Sequence, residues 1–176
     1  HPAVLNTCGA LEKSGFEVKY IGVDGGGYVD MEQARKLITP ETAVVSVMAA
    51  NNEVGTIQPI RELAALCRER GALFHTDAVQ AAGHIPLDVR ELGCDMMSVS
   101  AHKLGGLRGA GLLYIRRGLE LQPLICGGGQ ENGLRSGTEN TAAIVSMGAA
   151  MEYACGDING RSERISALRD RLVAGL

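Results

Sequence analysis

The sequence predicts a layered α/β fold with a mostly parallel sheet, and three observations carry that expectation. Segments of strand character alternate with segments of helical period along the chain. Thr42–Ala50 (TAVVSVMAA) is a continuous, valine-rich apolar run too short for a typical helix. Such a run suits a strand buried on both faces of a parallel sheet. Three strand-like runs are each followed directly by polar residues: Asn52 and Glu53, then Asp77 and Gln80, then Ser100, His102 and Lys103. In open α/β sheets, that carboxyl edge is where ligands bind.

The elements follow in order. His1 to Ser14 reads as a helix, with Pro2 at a favoured first position and Gly15 as its stop. FEVKYIGV (16–23) reads as a strand, followed by the Gly25–Gly27 turn and a helix from Asp30 to about Ile38. Pro59 opens a helix, IRELAALCRERG, with apolar residues at 60, 63, 64 and 67. ALFHTD, DMMSVS and AGLLYIRRG are three further strands, and Met147–Cys155 and Ile165–Val173 are closing helices. There is no internal repeat and no low-complexity tract, and Gly156–Gly160 is the best candidate for a boundary.

Composition narrows the function classes. With 176 residues, 45% of them hydrophobic, the chain can bury the core of one domain. A formal net charge of -3 argues against a nucleic-acid binder. No apolar run approaches the roughly 20 residues of a membrane helix, and no signal peptide opens the chain. The first residue is histidine, so a fragment or a processed product is expected. The five cysteines are odd in number and lack zinc-site spacing. No metal site and no disulfide framework is expected, and a reducing, cytoplasmic setting fits best. Each cysteine taken alone reads as a small buried apolar residue. The 24 glycines concentrate at 25–27, 105–111 and 127–137, where backbone must turn sharply or approach a ligand.

The polar groups are chemically complementary. A lysine such as Lys103 can attack an aldehyde and form a Schiff base. An aspartate such as Asp77, opposite a pyridine nitrogen, keeps that nitrogen protonated and makes the ring an electron sink. Ser100, His102 and backbone amides beside a glycine turn can hold a phosphate. Asn52 and Gln80 can donate to a phenolic oxygen. These are the parts that a pyridoxal phosphate site requires. A solvated loop would also be polar, and Asp77 could merely cap the short helix that follows it.

FHTDAVQ, SAHK, AANNEVGTIQPI and GGGQENGLRSGTEN, in this order and spacing, closely resemble the large domain of the cysteine desulfurases. These are pyridoxal-phosphate enzymes of fold type I, within class V of the aminotransferases. The similarity runs from His1 to about Tyr153. GGGQENGLRSGTEN points to the NifS-like branch, which includes selenocysteine lyases.

The resemblance implies a three-layer sandwich, the large domain of a pyridoxal-phosphate-dependent transferase, here incomplete. Residues 1–156 would be its central part, and 157–176 a helix leading toward an absent small domain. Lys103 would be the Schiff-base lysine and later a proton carrier, and Asp77 would pair with the pyridinium nitrogen. His1 would stack on the ring and move protons. Gln80 and Asn52 would contact the ring oxygen or substrate, and Ser100 and His102 the phosphate. Thr138 would reach the phosphate of the neighbouring subunit in a homodimer with a shared site. The implied reaction removes sulfur from L-cysteine, giving L-alanine and an enzyme persulfide for a sulfur-acceptor protein or iron–sulfur cluster assembly.

The sequence also departs from the family pattern. The nucleophilic cysteine and the carboxylate-binding arginine of the small domain have no counterpart here, nor has the N-terminal glycine-threonine loop of the phosphate site. The chain alone is therefore expected to turn over little. LGGLRG follows the lysine where the family has a proline and often an aromatic, and Cys126 stands where a histidine usually precedes GGG. Cys126 is the cysteine to test for reactivity, although its bland reading is a buried, inert thiol. A selenocysteine lyase would share nearly every motif. From another class, the chain could be a non-catalytic dimerisation or docking remnant. A nicotinamide-binding domain is disfavoured because no GxGxxG follows the first strand.

Overall fold

The computed structural model describes residues 1–176, with helices α1 (Pro2–Lys13) and α2 (Met31–Leu37) first. Strands β1 (Val44–Met48), β2 (Leu73–Asp77), β3 (Met96–Ser100) and β4 (Gly111–Ile115) form one sheet in the order β1-β2-β3-β4. β1, β2 and β3 run parallel, and β4 pairs antiparallel with β3. Helix α3 (Ile60–Arg70) crosses from β1 to β2, and the short α4 (Val89–Leu92) precedes β3. Helices α5 (Thr141–Gly156) and α6 (Ile158–Ala174) close the chain. The mixed, mostly parallel α/β architecture expected from the alternation is present. No helix is long and apolar enough to cross a membrane.

Side-chain alternation divides the sheet. Phe74 and Thr76 of β2 are fully buried, whereas Leu73, His75 and Asp77 on the other face are half-buried. Their cross-strand partners Val45, Val47 and Met97, with Val99, join Phe74 and Thr76 on the buried side. Helix α3 packs there through Leu63, Ala64 and Cys67. That face is the core, and the opposite face is only partly covered.

The chemistry of the ends matches the residues that form them. Asp30 caps α2 by accepting from Gln33 N at 2.9 Å, and Asn140 caps α5 by accepting from Ala143 N at 3.2 Å. Asp95, just before β3, links that strand to β2 and to the residue after β4. Its carboxylate accepts from Phe74 N at 2.8 Å and from Arg116 Nε at 2.6 Å.

Several expectations need correction. Phe16–Val23 forms no strand: apart from an isolated bridge between Val23 and Val29 it pairs with nothing, and Phe16 and Tyr20 stay exposed. A strand exists only through ladder bonds, and this segment lies against no sheet edge. Thr42–Ala50 contributes β1, but as an edge strand, with Val44 49% exposed rather than buried on both faces. The closing helices are longer than their apolar stretches suggest, and they meet at the single residue Asp157.

Candidate active site

Parallel pairing brings the carboxyl ends of β1, β2 and β3 to one edge. Asp77 is the last residue of β2 and Ser100 the last of β3. A one-turn 3-10 helix, Ala101–Lys103, follows immediately and presents His102 and Lys103. Asp77 and Ser98 are register partners, so the candidate carboxylate and the strand leading to the lysine are neighbours.

Each group has a defined local role. Asp77 Oδ1 accepts from Val79 N at 3.0 Å, capping a run of turns rather than a helix. Asp77 has no salt-bridge partner and no further side-chain hydrogen bond. Its carboxylate therefore keeps acceptor capacity for a ligand. Ser100 Oγ lies 2.7 Å from His102 Nδ1, which orients that ring and leaves its Nε2 free. Lys103 is exposed and forms no ion pair.

The glycines after Lys103 fold the chain back on itself. Gly105 and Gly109 both adopt φ of +92°, a left-handed conformation that disfavours other residues. Gly106 N donates to Ala101 O at 2.9 Å, and a Cβ on Gly106 would lie 3.2 Å from that oxygen. Leu107 N donates to Ser146 Oγ at 3.0 Å, tying the loop to α5. A cleft of about 400 Å³ opens beside this turn, lined by Lys103, Leu104, Gly83, His84 and Arg161 among others.

The other sequence-predicted residues are less closely tied. Asn52 is exposed in the turn after β1, where Asn51 does the structural work by accepting from Glu53 N and Val54 N. Gln80 is half-buried in the turns after Asp77. His1 is exposed and caps α1, its Nδ1 accepting from Ala3 N at 3.1 Å. Thr138 is exposed, and Asn140 rather than Thr138 caps α5. No hydrogen bond joins His1 or Thr138 to the Asp77–Lys103 edge.

The cysteines divide by burial. Cys67 and Cys94 are buried as expected, and burial pushes the Cys67 thiol up to about 11. Cys126 and Cys155 are exposed, which overturns the buried reading for both. Cys126 sits in a loop whose neighbours Leu124 and Ile125 are themselves exposed, so no core is available to cover it.

One group escaped sequence reasoning. His75 lies two residues before Asp77 on the same face of β2. Its Nδ1 is 2.8 Å from Ser46 Oγ on β1, and its Nε2 is 2.9 Å from Ser98 Oγ on β3. Burial lowers the His75 pKa, and the nearby Asp77 opposes that shift. The available signal was a polar residue at the interior of each of three strand-like runs, Ser46, His75 and Ser98.

The donor set suits a phosphorylated pyridine aldehyde. An unpaired amine can meet the aldehyde, a carboxylate with spare acceptor capacity can meet the ring nitrogen, and a serine–histidine pair can meet the phosphate.

Comparison with known proteins agrees with that chemistry. The aminotransferase class-V family matches residues 1–176. The cysteine desulfurase IscS of Clostridium botulinum is 51% identical over 176 residues, 100% of this chain but 44% of that protein. A solved NifS-like protein superposes with a TM-score of 0.96 at 46% identity, over 99% of this chain and 48% of that one. The solved structure of SspA in complex with cysteine has a TM-score of 0.83 at 44% identity, over 86% of this chain and 44% of that one. The chain thus spans less than half the length of these relatives.

Proposed function

The chain belongs to the aminotransferase class-V family, and we propose that it forms the cofactor-binding core of a pyridoxal-phosphate-dependent cysteine desulfurase. The observation that carries this reading is the convergence of Asp77, Ser100, His102 and Lys103 on one edge of a parallel sheet. Residues 1–156 are the central part of the large domain, and 157–176 lead toward a second, smaller domain of a longer protein.

When bound, pyridoxal phosphate supplies a ring that absorbs the electrons released as the substrate's Cα–H bond breaks. The side chains do the rest. Asp77 would accept a hydrogen bond from the protonated ring nitrogen. Lys103 would hold the aldehyde carbon and would carry the proton lost from the substrate's Cα. Ser100 and His102 would hold the phosphate, while Asn52 and Gln80 would hold the ring oxygen or the substrate. His1 would lie against the ring. Thr138 would serve the phosphate of the neighbouring subunit in a homodimer.

The substrate is L-cysteine, a reading supported by the cysteine held by the similar SspA. The products are L-alanine and sulfur carried as a persulfide on a cysteine of the longer protein, for delivery to an acceptor protein. The setting is cytoplasmic.

The test is an absorbance titration of the chain with pyridoxal phosphate, followed by borohydride reduction and peptide mapping. A visible band that reduces onto Lys103, and is lost in Lys103→Ala, is expected. Label scattered over surface lysines, or a band unchanged in Lys103→Ala, would refute the reading.

A further inference from the structure

The Ser46–His75–Ser98 chain lies outside every role assigned above, yet His75 is two residues before the proposed cofactor contact Asp77, on the same face of β2. It spans three strands: β1 gives Ser46, β2 gives His75 and β3 gives Ser98. Both ring nitrogens are within hydrogen-bond distance of a hydroxyl. A neutral imidazole has one donor and one acceptor, so one serine donates to the ring while the other accepts from it. The two hydroxyls can partner both ring nitrogens in either protonation state, because a hydroxyl donates and accepts. Burial on the sheet face is what disfavours the charged form. Ser46 and Ser98, which face the ring from the flanking strands, carry no charge; Asp77 is the charged group whose field reaches it.

We infer that His75 is a positioning residue for Asp77, locking β2 laterally between β1 and β3 so that the carboxylate keeps its place at the sheet edge. This inference rests on the cofactor reading above. The lock acts at the right level: His75 and Asp77 share a face, and Ser98 is both the hydrogen-bond partner of His75 and the register partner of Asp77. The ring's neutrality matters as well. A cation two residues from Asp77 would compete with the pyridinium for the carboxylate, whereas a neutral ring leaves that charge to the cofactor.

Two measurements test the inference and separate its failure from that of the cofactor reading. The first uses the chain without cofactor. Nitrogen NMR follows the imidazoles across pH, which is tractable because the chain has four histidines. The His75 midpoint is expected to lie below that of an ordinary imidazole, and Asp77→Asn to move it lower still. A midpoint at the ordinary value of about 6.5 that ignores Asp77→Asn would overturn the inference.

The second measurement adds pyridoxal phosphate to wild type, His75→Leu and His75→Gln. His75→Leu should lose about tenfold in affinity, and its visible band should show a shifted pH profile. His75→Gln, which keeps a donor and an acceptor, should stay within about twofold of wild type. Equal melting losses in both variants with an unchanged pH profile would reduce His75 to a packing role and overturn the inference. If wild type shows no visible band, the cofactor reading falls, and the His75–Asp77 coupling is decided by the NMR titration.

Discussion

Gly83→Ala should strike the fold where it supports Lys103. Gly83 adopts φ of +71°. A Cβ built there would lie 2.8 Å from both Ala154 Cβ on α5 and Leu104 Cδ2, next to Lys103. Carbon atoms prefer about 3.5–4.0 Å. Leu104 can rotate aside, but the Ala154 methyl is fixed to its helix. Left-handed backbone costs a residue with a Cβ about 1–2 kcal/mol, and overpacking adds about 1–3 kcal/mol. A total of about 2–5 kcal/mol corresponds to a melting loss of about 4–20 °C for a chain of this size. The matched control is Gly9→Ala, in the middle of α1, where a Cβ meets nothing within 4 Å. It should be neutral or should gain about 0.5–1 kcal/mol. Urea titrations of both variants give the comparison directly. Measured against Ala154→Gly alone, which should itself cost about 0.5–1 kcal/mol in the helix, Gly83→Ala should cost less than in wild type, because its Ala154 contact is gone. If Gly83→Ala matches Gly9→Ala within about 0.5 kcal/mol, the close packing of α5 on this turn is wrong.

Two further outcomes follow from buried groups. Thr76 is fully buried and its hydroxyl has no hydrogen-bond partner. Thr76→Val keeps the shape, removes the orphan, and should stabilise by about 1 kcal/mol in a denaturant titration; a loss would mean that the hydroxyl is satisfied. Cys67 is raised to about 11, first by burial and then by Asp95. The unfolded thiol ionises near about 8.5, so the unfolded state releases its proton first. The stability from this group is therefore whole below about pH 8.5 and declines toward pH 11. Cys67→Ala should flatten that decline, and thiol labelling of the native chain at pH 8 should reach Cys126 and Cys155 before Cys67. Early labelling of Cys67 would contradict its burial.

Much of this arrangement was readable in the residues, and the failures share a cause. Helix α3 declared itself through Pro59 and the spacing of Ile60, Leu63, Ala64 and Cys67. β2 and β3 declared themselves through short apolar runs followed by polar groups. Where the reading missed, the deciding fact was which neighbour a segment finds. Phe16–Val23 has the composition of a strand but pairs with no sheet edge, and Thr42–Ala50 has the composition of a central strand but lies at the rim. Composition records what a segment could pair with, whereas pairing is decided by distant residues. The exposure of Cys126 belongs to the same class.

The His75 chain shows how far one alternating pattern can reach. Along LFHTD, Phe74 and Thr76 turn inward to α3, and His75 and Asp77 turn outward. A slip of one residue in β2 would exchange the two sets, burying the carboxylate and exposing Phe74. The core therefore enforces the site: the register that hides Phe74 is the register that sets Asp77 beside Ser98 and His75 between two serines. The serine–histidine contacts reinforce that register from the outer face, beside the buried Met96 that pairs with His75. Fold and candidate chemistry are then specified by the same five residues, and a substitution on either face of β2 should be felt on the other.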